Sequence, residues 1–224
     1  GAVLSDGQTI IWTVTDENNN VETCTFTVNV NDNEDPVAVC QNFTVNLDAS
    51  GSATITALDI DNGSSDNCGI ASLSLDVTSF NCSNVGSNTV TLTVEDVAGN
   101  TDQCTATVTV IDDTPPVAIC QNITVELDAA GTVTITPAQI DNGSSDACGI
   151  ASLSLSQTMF DCSDVGTKTV TRTVPDVNNN TSSCTAIVTV VDDTPPTALC
   201  VSSLEVQLDA SGVATITAQD VNNG

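Results

Sequence analysis

The 224-residue chain carries 29 acidic residues against 2 basic ones, a formal charge of −27, and no histidine. Charge of that sign excludes electrostatic binding to nucleic acid or an anionic membrane, and ten cysteines without a histidine or a CxxC pair exclude a Cys/His zinc site. No apolar run reaches the ~18 residues of a transmembrane helix, so direct membrane insertion is not expected; the cysteines point to disulfides and an extracellular or cell-surface location.

Self-similarity sets the organisation. Cys40, Cys120 and Cys200 are 80 residues apart, as are Cys24, Cys104 and Cys184. DNGSSDNCGIASLSL at 61–75 returns as DNGSSDACGIASLSL at 141–155. Residues 1–35 read as the C-terminal part of a repeat, 36–115 and 116–195 as complete repeats, and 196–224 as the N-terminal part of another. The part-repeats predict a parent protein that continues in both directions.

Along the repeat 36–115, strands are predicted at 37–47, 52–57, 70–77, 80–85, 88–95 and 104–111. TVTLTVED at 89–96 and CTATVTVID at 104–112 alternate Thr with aliphatic residues, the period of a half-buried strand. Asp48-Ala49-Ser50-Gly51 supplies glycine for a tight turn. No helical stripe appears. Short strands separated by turn signals predict an all-β fold of tandem immunoglobulin-like β-sandwich repeats, disulfide-stapled and arranged as an elongated rod. With 2% aromatic residues the core is small and aliphatic, which leaves part of the stability to disulfides.

Four cysteines per repeat allow three pairings. The first and last strands begin at one pole and run parallel as neighbours, which favours Cys40–Cys104 and Cys120–Cys184. Cys68–Cys82 and Cys148–Cys162 remain, each closing a short loop. Ala2 occupies the position of Cys82, so the preceding unit lacks that bridge, and Cys24 and Cys200 are left to partners outside the chain. A rival scheme pairs Cys24–Cys40, Cys104–Cys120 and Cys184–Cys200 across the linkers, between strands that run apart.

Acidic residues recur in three loop classes predicted to converge at one pole. Linkers read NDNEDP, IDDTPP and VDDTPP; the loops at 59–69 and 139–149 contain DNGSSD; those at 16–20, 96–100 and 176–180 read DENNN, DVAGN and DVNNN. Carboxylates and amide carbonyls are the oxygens that calcium takes. The predicted Ca2+ ligands at one junction are Asp112, Asp113, Asp141, Asn142, Asp146, Asp176 and Asn180. The upstream set is Asp32, Asn33, Asp61, Asn62, Asp66, Asp96 and Asn100. Asp, Asn and Gly also simply make turns. A bound cation would tie each linker to two loops of the next repeat and stiffen it, and double prolines at 115–116 and 195–196 restrict the linker further.

The pattern DDTPPxAxCQNITV, DNGSSDxCGI, DVxxN and CTAxVTV resembles the hyalin-repeat (HYR-like) family, and within it the long arrays of giant Bacteroidota surface proteins, including gliding-type adhesins. NDNEDP is similar to a cadherin calcium linker. The family resemblance implies an immunoglobulin-like sandwich, an extracellular location and a role in adhesion or in spacing a binding tip from the cell; in Bacteroidota it implies type 9 secretion. Gln41 and Gln121 replace the family's usual proline, and the second cysteine pair is a further departure.

No GxSxG, P-loop or HExxH motif occurs, and a carboxylate dyad repeated in every unit does not describe an enzyme. The reading is a structural segment of a secreted adhesin stalk or filament, calcium-stiffened, whose partners are neighbouring repeats and, by self-association into a fibre, other copies. The alternative is a glycan- or protein-binding adhesion module using the loops. Near-identical loops in successive repeats favour the first. Ice binding through the Thr rows is a weaker third reading. Arg172, in the place of Leu92, is expected at a rim where its head reaches water.

Overall fold

A computed structural model of the chain describes residues 5–222; Ala2 lies outside them. β1 (Thr9–Thr15) and β2 (Val21–Thr27) form an antiparallel hairpin with Trp12 opposite Cys24. The turn that follows β1 needs one left-handed residue. Asn19, Gly99 and Asn179 take that role in three successive repeats, with φ of 64°, 92° and 74°. Gly and Asn enter that region at least cost.

The first complete repeat contains β3 (Phe43–Asn46), β4 (Ser52–Thr54), α1 (Ala57–Ile60), β5 (Ile70–Leu75), β6 (Ser79–Asn81), β7 (Gly86–Asp96) and β8 (Thr101–Ile111). A four-stranded sheet runs β3-β8-β7-β5, and β4 pairs with β6. β3 lies parallel to β8, Phe43 opposite Val108, while β7 and β8 are antiparallel, Leu92 opposite Cys104. Alternation along β7 and β8 turns Val90, Leu92, Val94, Ala106, Val108 and Val110 inward, and Leu47, Ile55, Ile60 and Phe80 complete the core. Each of these except Ala106 contributes about 1.5–3 kcal/mol on burial. One step further along β7 the same alternation delivers Asp96 to the inward face, where it is buried.

α1 is a departure from the helix-free expectation. The strand expected at 52–57 stops at Thr54 because Thr56 and Asp59 form a capping box. The Thr56 amide and hydroxyl donate to Asp59 Oδ2 at 2.7 and 2.8 Å, which fixes one helical turn.

The second complete repeat follows the same order: β9 (Ile123–Glu126), β10 (Thr132–Thr134), α2 (Pro137–Ile140), β11 (Ser154–Leu155), β12 (Met159–Asp161), β13 (Gly166–Pro175) and β14 (Thr181–Val191). Its sheets are β11-β13-β14-β9 and β10-β12. The last part-repeat has α3 (Ala218–Val221) and pairs Cys200 with Asn222, as Cys40 pairs with Asp61 and Cys120 with Asp141.

The structure divides into two compact units. The first gathers residues up to Pro116 with Ser145–Ile150 and Pro175–Asn180. The second contains Val117–Ser144, Ala151–Val174 and residues from Thr181 onward.

Cys40 bonds Cys104, and Cys120 bonds Cys184, each across 64 residues. The other expected pairs do not form. Cys82 bonds Cys148 instead, their Cα atoms 5.2 Å apart, and Cys68 and Cys162 are free. Proximity in sequence misleads here because β5 lies between Cys68 and Cys82. Its six residues span about 20 Å at ~3.3 Å each, well beyond the ~7 Å limit for bridged Cα atoms. Cys82 lies beside the Asp48–Gly51 turn, its Sγ 3.8 Å from the Gly51 oxygen. Gly51 has φ of +74°, and a Cβ there would come within 2.7 Å of the Cys82 sulfur. Glycine therefore serves both the turn and the clearance around the disulfide.

Arg172 also departs from expectation. It is fully buried, because the alternation of β13 sends Val170, Arg172 and Val174 inward together. Asp141 supplies its counter-charge at 2.7 Å, and Nη1 also donates to Ser144 Oγ at 2.6 Å. Nε and Nη2 have no partner among the described residues.

Candidate cation site

Two acidic clusters in the first unit are built alike. In one, the main-chain oxygen of Asp112 accepts a 3.0 Å hydrogen bond from Asn180 Nδ2, which also donates to Asp176 Oδ2 at 2.8 Å. Asp176 is buried at the end of β13, and its Oδ1 accepts from the amides of Asn178 and Asn180 at 2.8 Å each. Asp146 Oδ1 accepts from the amides of Cys148 and Gly149 at 2.8 and 2.9 Å. Ligand-type atoms of Asp112, Asp146 and Cys148 lie within 4.8 Å of one another. The sulfur belongs to a disulfide, so the oxygens are the donors.

Asp112 is 7% exposed. Its Oδ1 accepts from the Thr114 amide at 3.2 Å, and Oδ2 is buried without a partner. Asn178 Oδ1 is buried and unpartnered in the same loop group. A carboxylate taken out of water needs a counter-charge or hydrogen bonds. The two basic residues of the chain are engaged elsewhere: Lys168 pairs with Asp164 at 3.0 Å and Arg172 with Asp141 at 2.7 Å. Hard oxygens with no protein cation match the donor set of calcium.

The upstream cluster repeats this plan. Asn100 Nδ2 donates to the Asp32 and Glu34 oxygens at 3.3 and 3.2 Å and to Asp96 Oδ2 at 2.7 Å. Asp66 Oδ2 accepts from the Cys68 and Gly69 amides at 2.6 and 2.9 Å, and Asp32, Asp66 and Cys68 lie within the same 4.8 Å. Asp32 Oδ2 is buried and unpartnered, although the residue is only half-buried. The Cys68 thiol is pushed above its ordinary pKa, first by a hydrogen bond to Asp32, then by desolvation and the charges of Asp32, Asp66 and Asp96.

Several predicted ligands stand apart. Asn100 and Asn180 present amide donors to the carboxylates and hold the linker through them. Asp61 and Asp141 lie outside the two 4.8 Å groups: Asp61 accepts from the Gly63 and Ser64 amides at 3.4 and 3.0 Å, and Asp141 accepts from the Ser144 amide and pairs with Arg172. Asp113 accepts from Asn46 Nδ2 at 2.9 Å. Asn33, Asn62 and Asn142 are exposed. Asn178 was not among the predicted residues. DVNNN offers three asparagines, and nothing in the motif marks which oxygen turns inward.

Tandem disulfide-stapled β-sandwich repeats with acidic loops define an extracellular, adhesion-type module. The chain is 37% identical to hyalin of Strongylocentrotus purpuratus over 158 residues, 66% of this chain and 13% of that protein. It is 30% identical to hyalin of Lytechinus variegatus over 241 aligned positions, 99% of this chain and 45% of that protein. It is thus a hyalin-repeat-like extracellular or cell-surface chain, spanning less than half the length of either relative. No protein-family model matches it. Among solved structures it is similar to protocadherin gamma B7 cadherin domains 1–4, with a TM-score of 0.37, 13% identity, and coverage of 84% of this chain and 59% of that one. For mouse protocadherin gamma C3 domains 1–3 the values are 0.33, 14%, 82% and 77%. Likeness at that level carries no argument about cations. No helix among the described residues is long and apolar enough to cross a membrane.

Proposed function

We infer that this chain is a structural segment of an extracellular adhesion array, without catalytic activity, whose inter-repeat segments are stiffened by calcium. The observation that carries the cation is Asp112, a nearly fully buried carboxylate with one oxygen unpartnered. Asp112, Asp146 and Asp176 are the proposed anionic donors, and the Asn178 carbonyl, buried and unpartnered in the Asp176 loop, is a further candidate oxygen. Asp32, Asp66 and Asp96 form the upstream counterpart. Calcium supplies the positive charge that lets these carboxylates sit together. Asn180 and Asn100 hold the linker against the loop that carries Asp176 or Asp96. A stalk that spaces a distal binding tip is the role that near-identical repeats serve best. Self-association into a fibre, the domain limits at 35, 115 and 195, and placement in a Bacteroidota-type surface array with type 9 export belong to this proposal.

Calcium titration of the disulfide-intact chain by calorimetry tests the reading. Asp112→Asn should remove one binding event while the far-ultraviolet circular dichroism spectrum is unchanged. Wild-type chain that takes up no calcium at millimolar concentration overturns the calcium part. A glycan array and pull-down with the same chain test the alternative of loop-mediated recognition, and reproducible capture of one ligand class would favour it.

A further inference from the structure

The two acidic clusters differ in one covalent respect. The loop carrying Asp146 is anchored through the next-but-one residue, Cys148, to Cys82. The matching loop carrying Asp66 ends in Cys68, whose thiol is free and exposed. The repeat explains the difference: Cys82 minus 80 is position 2, which is Ala2. The two loops are otherwise held alike, since Asp66 and Asp146 each accept from the two amides of the residues two and three positions on.

Building on the calcium reading, we propose that the Cys82–Cys148 disulfide is a positioning device for the Asp112–Asp146 site, so that the chain holds one stapled, tight calcium site and one unstapled, weak site. Asp112 and Asp146 are far apart in sequence, and their loops must be brought together before a cation can bridge them. Cys148 packs against the core that contains Phe80 and Ile55, and the bond to Cys82 fixes it there. Asp146 inherits that placement, because its carboxylate bonds the Cys148 amide at 2.8 Å. The loop at Cys68 lacks this covalent anchor, and the greater cost of fixing an unanchored loop on binding appears as lower affinity. Burial follows the same order: Asp112 is buried, whereas its counterpart Asp32 is half-buried.

The test is calorimetric calcium titration of the full oxidised chain and of two variants. Wild type should show two classes of site differing by roughly tenfold in Kd, the scale of one or two immobilised side chains. Cys82→Ser with Cys148→Ser should bring the tight class down to the weak one. Ala2→Cys, oxidised with glutathione disulfide, should supply the register partner of Cys68 and tighten the weak class. In that exchange the two thiols become one disulfide, and glutathione disulfide leaves as two molecules of glutathione. A double-serine variant that keeps its circular dichroism and both affinities overturns the proposal. So does a mapped disulfide between the introduced thiol and Cys68 that leaves the weak class unchanged. If the serine variant fails to fold, the Ala2→Cys arm decides. Absence of any calcium binding in wild type removes the underlying site as well, so the two failures are distinguishable.

Discussion

Asn180 Nδ2 donates to the main-chain oxygen of Asp112 at 3.0 Å across 68 residues of sequence. That amide joins the segment before the second complete repeat to the turn at the end of β13. Asn100 makes the same connection to Asp32 one repeat earlier.

Asn180→Ala removes this bond and the one to buried Asp176. Hydrogen bonds to charged groups contribute about 1.5–3 kcal/mol, so a loss of about 2 kcal/mol is expected. Urea unfolding with disulfides intact measures it, and an unchanged midpoint would show that the linker is held by something else.

Arg172 stands in a core position that Leu92 fills in the preceding repeat. Replacing a buried ion pair by a packed apolar side chain is often neutral or stabilising by about 1–4 kcal/mol, whereas removing one partner costs about 3–5 kcal/mol. Arg172→Leu recreates the preceding repeat, where Leu92 is buried and Asp61, the counterpart of Asp141, is held by the Gly63 and Ser64 amides without a cation. Because Asp141 is 28% exposed and keeps its Ser144 amide, the second unit should stay about as stable. Asp141→Ala should destabilise it strongly, because the guanidinium keeps only Ser144. Equal effects of the two substitutions in denaturant melts would contradict this.

The Asp96 carboxyl is held below the ordinary carboxylate range. Burial pushes it up, but hydrogen bonds from the Asn100 side chain and from the amides of Asn100, Gly99 and Ala98 outweigh that. A carboxyl whose folded pKa is depressed stabilises the fold above its unfolded value, and the contribution is lost as pH falls through the folded value. Stability should decline on acidification below the usual carboxylate range. Asp96→Asn should lose less on the same change, since the titrating group is gone. Parallel loss in both proteins, by urea midpoints in chelator, would refute the assignment.

Cys68 is exposed, yet carboxylates keep its thiol protonated. Alkylation at neutral pH in chelator should be slow, because the thiolate is the reactive form. Asp32→Asn removes the charge and leaves only a neutral amide acceptor beside the thiol, and should speed it severalfold. Peptide-level mass spectrometry after timed iodoacetamide treatment reads the rate, and no acceleration would separate Cys68 from Asp32 in solution.

Much of this was legible in the sequence because period-two alternation is itself the packing code. Val90, Leu92 and Val94 announce an inward face, and Asp96 belongs to it by the same count. Convergence of the loops followed from strand order. Three features were not legible. Cys68 and Cys82 are near in sequence but separated by the length of β5, so pairing by short loops failed. Arg172 breaks the apolar alternation, and only the partner Asp141, 31 positions upstream, makes its burial tolerable. Asn100 and Asn180 turn their donors to the carboxylates, and residue type alone does not reveal which end of an amide faces a site.

The most direct measurement is the melting temperature of the disulfide-intact chain with calcium and with chelator. A ligand at a hundredfold excess over its Kd stabilises the native state by about 2.7 kcal/mol, roughly 5–10 °C for a domain of this size. The account predicts an upward shift of that order, diminished in Asp112→Asn. Identical melting curves in calcium and in chelator would contradict it and leave the acidic loops as turns.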